Sequence, residues 1–161
     1  MKLDLPSDIV RVHHCDIPTR WGDMDAFQHI NNAIYFRYME SARIEMLQDL
    51  YATQPGAAEA VAPGTGPVVI NAFCNFLAQI THPATLRVTH FLGEIGRSSF
   101  DTYITMARTD APDVPLARGG ATVVWVHYEA GKAIALPAPL RQALVTLRES
   151  GGVPAPAESL A

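Results

Sequence analysis

The chain has 161 residues, of which 48% are hydrophobic and 17% charged, and its formal net charge is −4 at pH 7. This composition is that of one globular domain, long enough to bury roughly two thirds of its unfolded surface. The negative charge excludes functions that need a broadly basic surface, so we expect no nucleic-acid partner. No apolar run approaches the ~20 residues that span a bilayer, so we expect no membrane partner.

The two cysteines and the amino terminus bear on the cellular compartment. Cys15 and Cys74 make no disulfide framework, and we expect both to be small buried residues in strands. The first eight residues carry acids where a signal peptide has its apolar core. We therefore expect a reduced, cytoplasmic protein.

The first half of the chain predicts a strand, a polar loop and a long helix. Residues 9–19 have strand character, with Pro18 at their end, and the loop spans residues 21–30. Apolar residues at spacings of three or four then predict an amphipathic helix over residues 32–51, with Asn31 as its cap. The expected buried stripe comprises Tyr35, Met39, Ala42, Met46 and Leu50, widened by Tyr38, Leu47 and Phe36.

The segment after the helix carries no apolar periodicity. Residues 52–67 contain three prolines and three glycines, which indicates a loop with one helical turn at residues 57–60. So long a loop in a compact domain often forms the rim or lid of a site.

The second half of the chain predicts strands. Residues 68–80 form a continuous apolar run, typical of a strand buried on both faces. Residues 86–92, 98–108 and 116–129 alternate in polarity, and Gly119 with Gly120 predicts a bulge in the last of these strands. Short turns between the strands favour antiparallel neighbours over βαβ units. A helix over residues 137–149 and a disordered tail over residues 151–161 complete the chain.

These elements predict a single α+β domain over residues 1–150. The buried stripe of the long helix needs a partner surface, and the sheet is the only one available. We therefore expect a strongly curved antiparallel sheet of about five strands wrapped round a long central helix.

Residues 20–43 contain the candidate reactive groups. Asp23 and Asp25 lie on a Gly-containing loop, and His29, Asn31 and Asn32 lead from it into the long helix. A carboxylate can attack a carbonyl carbon or activate water, while the unpaired N–H groups of a helix start can hold a developing negative charge. Asp23 is expected to be structural, bonding loop N–H groups or Arg20.

The full pattern is Asp-x-Asp-x3-His-x-Asn-Asn-x2-Tyr-x2-Tyr-x-Glu-x2-Arg over residues 23–43. This pattern resembles the signature of the hotdog-fold acyl-CoA thioesterases, in particular the group that includes 4-hydroxybenzoyl-CoA thioesterase. The segment from Ile95 to Phe100 and the order of predicted elements match that family too. The resemblance covers roughly residues 10–130 and implies the hotdog fold and hydrolysis of an acyl-CoA thioester.

The resemblance implies roles for individual residues. Asp25 matches the catalytic carboxylate, as nucleophile or as general base, and the backbone N–H of Asn32 matches the oxyanion donor. The coenzyme A arm is expected along Arg97, Ser98 and Ser99, usually those of a partner subunit. A homodimer or homotetramer is therefore implied, and no cofactor.

Two positions depart from the family pattern or stay open. Gln28 stands where many relatives have glycine, and it could line the acyl pocket or orient water. His29 could bond the thioester, but holding the loop is the expected role.

Only Arg97 remains of the basic cluster that binds the coenzyme phosphates in the 4-hydroxybenzoyl enzyme. An acyl-carrier-protein thioester therefore stays open as substrate, and nothing selects an acyl class.

Two other functions remain alternatives. A hotdog dehydratase or hydratase would need a histidine and an acid facing each other across a dimer, whereas Asp25 and His29 share one loop. A non-catalytic acyl-CoA-binding dimer would need no reacting carboxylate. The other histidines, His13, His14, His82, His90 and His127, show no ligand spacing, so the sequence predicts no metal site.

Overall fold

The computed structural model of the chain describes residues 3–150, and the tail predicted over residues 151–161 lies outside them. Within this range the chain forms two α-helices, one short 3-10 helix (Trp21–Asp23) and a six-stranded antiparallel sheet. The helices are α1 (Asn32–Thr53) and α2 (Ala138–Glu149). The strands are β1 (Val10–Pro18), β2 (Thr65–Phe76), β3 (Thr85–Ile95), β4 (Ser99–Arg108), β5 (Ala111–His127) and β6 (Lys132–Ala133).

The long helix forms where its apolar period predicts it. The Asn31 side chain accepts a hydrogen bond from the Ala33 N–H at 2.9 Å, which confirms the predicted cap. All five residues of the predicted stripe are buried, and so are Tyr38 and Leu47. Phe36 is 39% exposed, so its assignment to the stripe is wrong. A residue next to Tyr35 in sequence points about 100° away from it round the helix.

The strand order runs β1-β3-β4-β5-β2, with β6 beside β5. Among the first five strands, only β3, β4 and β5 are consecutive both in the sequence and in the sheet, as the short turns predict. β1 pairs with β3 and β2 with β5, so the two strands that flank α1 in sequence form opposite ends of this order. The helix packs against β1 and β3, and α2 packs against the same two strands. The core is therefore the layer between these helices and the sheet.

The interpretation of residues 68–80 as a strand buried on both faces is wrong. β2 begins at Thr65, ends at Phe76 and pairs with β5 alone. Val68 and Val69 are each 38% exposed and Ile70 is 63% exposed. The sequence of an apolar strand does not indicate whether the rest of the chain covers both of its faces.

Gly119 and Gly120 make no bulge, because β5 keeps its register there with both β2 and β4. The two glycines instead leave room for atoms of the neighbouring strands. A Cβ atom at Gly119 would lie 2.5 Å from the carbonyl oxygen of Phe73, and one at Gly120 would lie 2.7 Å from the ring of Tyr103. The glycine pair thus lets neighbouring strands pack closely.

Candidate active site

The loop that carries Asp25 is anchored at both ends to one segment of the chain. Before the loop, the Thr19 N–H bonds to the Ala84 carbonyl at 2.8 Å. After it, the Ile30 N–H bonds to the Ile80 carbonyl at 2.8 Å. Backbone bonds therefore hold both ends of the loop against residues 80–84.

A tight turn within this loop presents the Asp25 carboxylate. The Asp25 N–H donates to the His29 carbonyl at 2.8 Å, and the Gln28 N–H donates to the Asp25 carbonyl at 3.0 Å. Asp25 Oδ1 accepts from the Phe27 N–H at 2.8 Å, while Oδ2 takes no hydrogen bond from any described residue. The turn thus fixes one carboxylate oxygen and leaves the other available.

Gln28 closes the turn in the left-handed region, with φ at 63°. This conformation suits glycine, so the backbone of Gln28, a residue with a Cβ atom, is strained at this position. Gln28 is exposed and is not among the residues that line the cavity beside Asp25.

Asp23 holds the loop to the helix. Its Oδ2 accepts from the Arg20 N–H and from the Tyr38 hydroxyl, each at 2.8 Å, and its carbonyl accepts from the Asn31 N–H at 2.9 Å. Burial and the Asp23 carboxylate raise the pKa of Tyr38, so its hydroxyl remains a donor. Asp23 thus has the geometry of a structural acid. At residue 20 it bonds the backbone N–H rather than the arginine side chain.

A cavity of about 280 Å³ lies beside Asp25. Its lining residues are Asp25, His29, Ile30, Asn32, Tyr35, Phe76, Leu77, Ala78 and Gln79. The Phe76 ring meets the Tyr35 ring edge to face, with centroids 4.9 Å apart. The cavity thus joins a carboxylate and a helix start on one side to an apolar wall on the other.

The start of α1 contributes an unpaired donor to this cavity. The Asn31 side chain accepts a hydrogen bond from the Ala33 N–H, and the Asn31 carbonyl accepts one from the Ile34 N–H at 2.8 Å. The Asn32 N–H makes no hydrogen bond within residues 3–150. Asn32 and Asp25 line the same cavity, and a free N–H at a helix start is suited to hold negative charge on a bound group.

The structure brings some predicted site residues together and separates others. Asp25, His29 and Asn32 line one cavity. Arg97, Ser98 and Ser99 lie at the β3–β4 turn, whereas the Asp25 loop lies near the start of β3. The 11 residues of β3 span roughly 35 Å, so one chain cannot place both groups on the same small substrate portion.

The wall formed by Phe76, Leu77 and Gln79 could not be identified from the sequence. These residues belong to an apolar run whose pattern predicts a core strand. Only the pairing of β2 with β5 determines where the end of that strand lies.

The pattern of residues 52–67 predicts a rim or lid, but none of these residues lines this cavity. The helical turn predicted at residues 57–60 is present, with the Ala60 N–H bonded to the Gly56 carbonyl at 3.1 Å.

Comparison with known proteins places this chain in a family. Residues 19–144 match the family model of the thioesterase-like superfamily. Among solved structures, the PA2801 protein of Pseudomonas aeruginosa, a putative thioesterase, is 30% identical with a TM-score of 0.73, over 83% of this chain and 98% of that one. The DHNA-CoA thioesterase of Staphylococcus aureus has a TM-score of 0.73 at 15% identity, over 87% and 95%, and supports the fold.

A curated relative is more distant. The uncharacterized protein YsmA of Bacillus subtilis (strain 168) is 26% identical over 118 residues, which are 73% of this chain and 75% of the relative.

The chain therefore belongs to the thioesterase-like superfamily, and its α+β layout is the hotdog fold. Thioester hydrolysis is the class of reaction that the family and its solved members support. No helix within residues 3–150 is long and apolar enough to cross a membrane.

Proposed function

We propose that this protein hydrolyses an acyl-CoA thioester to a free acid and coenzyme A. The observation that carries the proposal is the shared cavity of Asp25 and Asn32. Asp25 has a carboxylate oxygen that takes no hydrogen bond within residues 3–150, Asn32 has an unpaired helix N–H, and both residues line the cavity together with apolar side chains. The family supplies the reaction class, and the name of the DHNA-CoA thioesterase supports coenzyme A as the thiol carrier.

Asp25 acts on the thioester carbonyl by one of two routes. As a nucleophile its free oxygen attacks the carbonyl carbon, the carbon–sulfur bond breaks and coenzyme A leaves as the thiolate, which takes a proton; water then hydrolyses the mixed anhydride to the free acid and Asp25. As a general base it takes a proton from the water that attacks. In both routes negative charge develops on the carbonyl oxygen, where the Asn32 N–H and the start of α1 stabilise it.

A second subunit would complete the substrate site. Arg97, Ser98 and Ser99 are too far from Asp25 in one chain to hold the coenzyme A arm of the same substrate. The exposed apolar residues Val69 and Ile70 lie on β2, at the end of the strand order, where a second copy could cover them. A groove of about 500 Å³ between α1 and β2, with Phe36 in its wall, continues this apolar surface. A homodimer or homotetramer in the cytoplasm is therefore part of the proposal.

The first experiment measures thiol release from acetyl, branched, aromatic and long-chain acyl-CoA. Asp25→Asn should lower kcat on the best substrate by roughly 10²-fold or more, because the amide is neither base nor nucleophile. Asp110→Asn is the control, since Asp110 is an exposed hairpin acid paired with Arg108. Hydrolysis by Asp25→Asn at the wild-type rate would rule out this mechanism.

The role of the Asn32 N–H has its own test. Asn32→Ala keeps the N–H and should retain activity within a few fold, whereas Asn32→Pro removes it and should lower kcat by about 10²–10³-fold. Proline suits this position, because Asn32 is the first helical residue and Asn31 already has φ −59° and ψ 139°. Equal activity of the two variants, with circular dichroism unchanged, would exclude an oxyanion role.

The thiol carrier can be identified with the same protein. Arg97→Ala should raise KM for acyl-CoA and leave hydrolysis of the matching N-acetylcysteamine thioester unchanged, because the short thiol lacks the coenzyme phosphates. Arg108→Ala is the matched control. Faster turnover of an acyl-carrier-protein thioester than of acyl-CoA would favour the protein carrier instead.

A further inference from the structure

A cluster of potential metal ligands lies where β1 packs on α1. His13 and Cys15 are two residues apart on β1, so their side chains point to the same face of the sheet. Glu45 reaches them from α1. One ligand atom from each of the three residues lies within 4.8 Å of the other two. The sequence could not reveal this set, because its members belong to different elements.

The separation of His13 from Glu45 suits a small tetrahedral ion. His13 Nε2 lies 3.6 Å from Glu45 Oε1, which is too long for a good hydrogen bond. A tetrahedral ion bound to nitrogen and oxygen at about 2.0–2.1 Å holds these two atoms roughly 3.3 Å apart. The pair is therefore close to the spacing that one shared ion would impose.

A second carboxylate lies beside the imidazole of His13. Its Nδ1 lies 3.3 Å from Asp49 Oδ2, one helical turn beyond Glu45. Its Nε2 is buried and has no hydrogen-bond partner among residues 3–150. A carboxylate on one ring nitrogen fixes the tautomer that leaves a lone pair on the other, as in carboxylate–histidine–zinc arrangements. The unpartnered Nε2 is thus directed at the Cys15–Glu45 space.

We propose that His13, Cys15 and Glu45 bind one Zn²⁺ ion, with Asp49 as the residue that orients His13. Thiolate, imidazole and carboxylate together are a donor set that favours zinc over magnesium or calcium. The thiol of Cys15 releases its proton to solvent on binding, and the thiolate and carboxylate charges balance that of the ion. Water fills the fourth position, since the Glu45 side chain is 52% exposed and opens the site to solvent.

This site is separate from the thioesterase cavity. Glu45 lies 13 residues beyond Asn32 on α1, which corresponds to about 20 Å of helix. The ion would join β1 to α1 and would stabilise the folded chain without contact to the reacting groups. Its binding can therefore be measured independently of any substrate.

The experiment titrates chelator-treated full-length protein with Co²⁺, a spectroscopic substitute for Zn²⁺. Wild-type protein should bind one Co²⁺ per chain, show a thiolate-to-cobalt charge-transfer band in the near ultraviolet, and lose it when excess Zn²⁺ is added. Cys15→Ser should abolish the band. Cys74→Ser is the matched control and should keep it, because Cys74 lies on β2.

Two helix variants keep the test decisive if Cys15→Ser folds poorly. Glu45→Gln and Asp49→Asn change exposed residues and should weaken binding by at least tenfold and by about 10–100-fold respectively. Zn²⁺ should raise the thermal midpoint of wild-type protein and raise it less in these variants. Absence of saturable binding, a band that persists in Cys15→Ser, or unchanged affinity in Glu45→Gln would each overturn the proposal.

Discussion

Tyr38 donates its hydroxyl hydrogen to Asp23 Oδ2 at 2.8 Å, and this bond joins the buried face of α1 to the loop that carries Asp25. Tyr38 is only 6% exposed and Asp23 is half-buried, so the bond is partly shielded from water. The same carboxylate oxygen also accepts from the Arg20 N–H at 2.8 Å. The loop is thereby positioned relative to the helix start at Asn32.

Tyr38→Phe should lower both stability and activity. The variant removes one hydrogen bond to a charged group and leaves the Asp23 carboxylate partly unsatisfied, at a cost of about 2 kcal/mol in unfolding free energy. Thioester hydrolysis should fall in kcat more than it changes KM, because Asp25 would be less well positioned. Urea denaturation and steady-state kinetics measure the two effects. Tyr128→Phe, at an exposed tyrosine, is the control, and equal behaviour of both variants would contradict the prediction.

Substitutions at Gln28 should follow the demands of its positive φ. Gln28→Gly relieves a left-handed conformation that costs a side-chain-bearing residue about 1–2 kcal/mol, but it adds about 0.5–1 kcal/mol of chain entropy to the unfolded state. We expect Gln28→Gly to be as stable as wild type or up to about 1.5 kcal/mol more stable. Gln28→Val should be less stable than either. Urea midpoints give the order, and a Val variant as stable as the Gly variant would contradict it.

Gly119→Ala should destabilise the protein by at least about 2 kcal/mol, in the range of overpacked sites. Its Cβ would lie 2.5 Å from a backbone oxygen of β2, which cannot move without shifting the strand. Gly22→Ala is the matched control, since no atom lies within 4 Å of a Cβ there. Thermal denaturation of the two variants provides the comparison, and similar midpoints would show that β2 accommodates the methyl group.

The buried His90 should make the protein sensitive to mild acid. It is fully buried, and burial, Arg43 and His13 together lower the pKa of His90 to about 3. The unfolded chain takes up this proton near pH 6.5, so the stabilisation is present above pH 6.5 and is lost as the pH falls towards 3. Over this interval one such group lowers the unfolding free energy by up to about 1.4 kcal/mol per pH unit.

His90→Leu tests this pH dependence in chelator-treated protein. The variant should lose stability less steeply than wild type between pH 6.5 and pH 4, as measured by urea denaturation at each pH. His127→Leu, at a less buried histidine, is the control. Identical slopes for wild type and His90→Leu would contradict the prediction.

The sequence predicted the elements whose patterns are local. The period of the Tyr35–Leu50 stripe and the Asn31 cap defined α1, and the alternation after Leu86 defined three strands. The strand order was not predictable, because hydrogen-bond pairing of β1 with β3 and of β2 with β5 leaves no local signature. For the same reason an apolar edge strand was interpreted as an interior one, and a glycine pair that allows close packing was interpreted as a bulge.

The candidate site was predictable in part. The motif indicated Asp25 and Asn32, and both line one cavity. The bonds that fix the loop could not be foreseen, because Ile80 and Ala84 contact it only after the sheet has formed. Gln28 was expected as a residue of the pocket or its water, whereas its backbone conformation is the feature that the structure makes specific.

The separation of Asp25 from Arg97 along β3 has a consequence for how the protein behaves on dilution. If the reacting carboxylate and the anchor for the coenzyme belong to different copies, then the catalytic unit exists only while the copies are associated. Specific activity on acyl-CoA should then fall when the enzyme is diluted below the dissociation constant of the dimer. Turnover of a short thioester that lacks the coenzyme phosphates should depend on enzyme concentration less steeply.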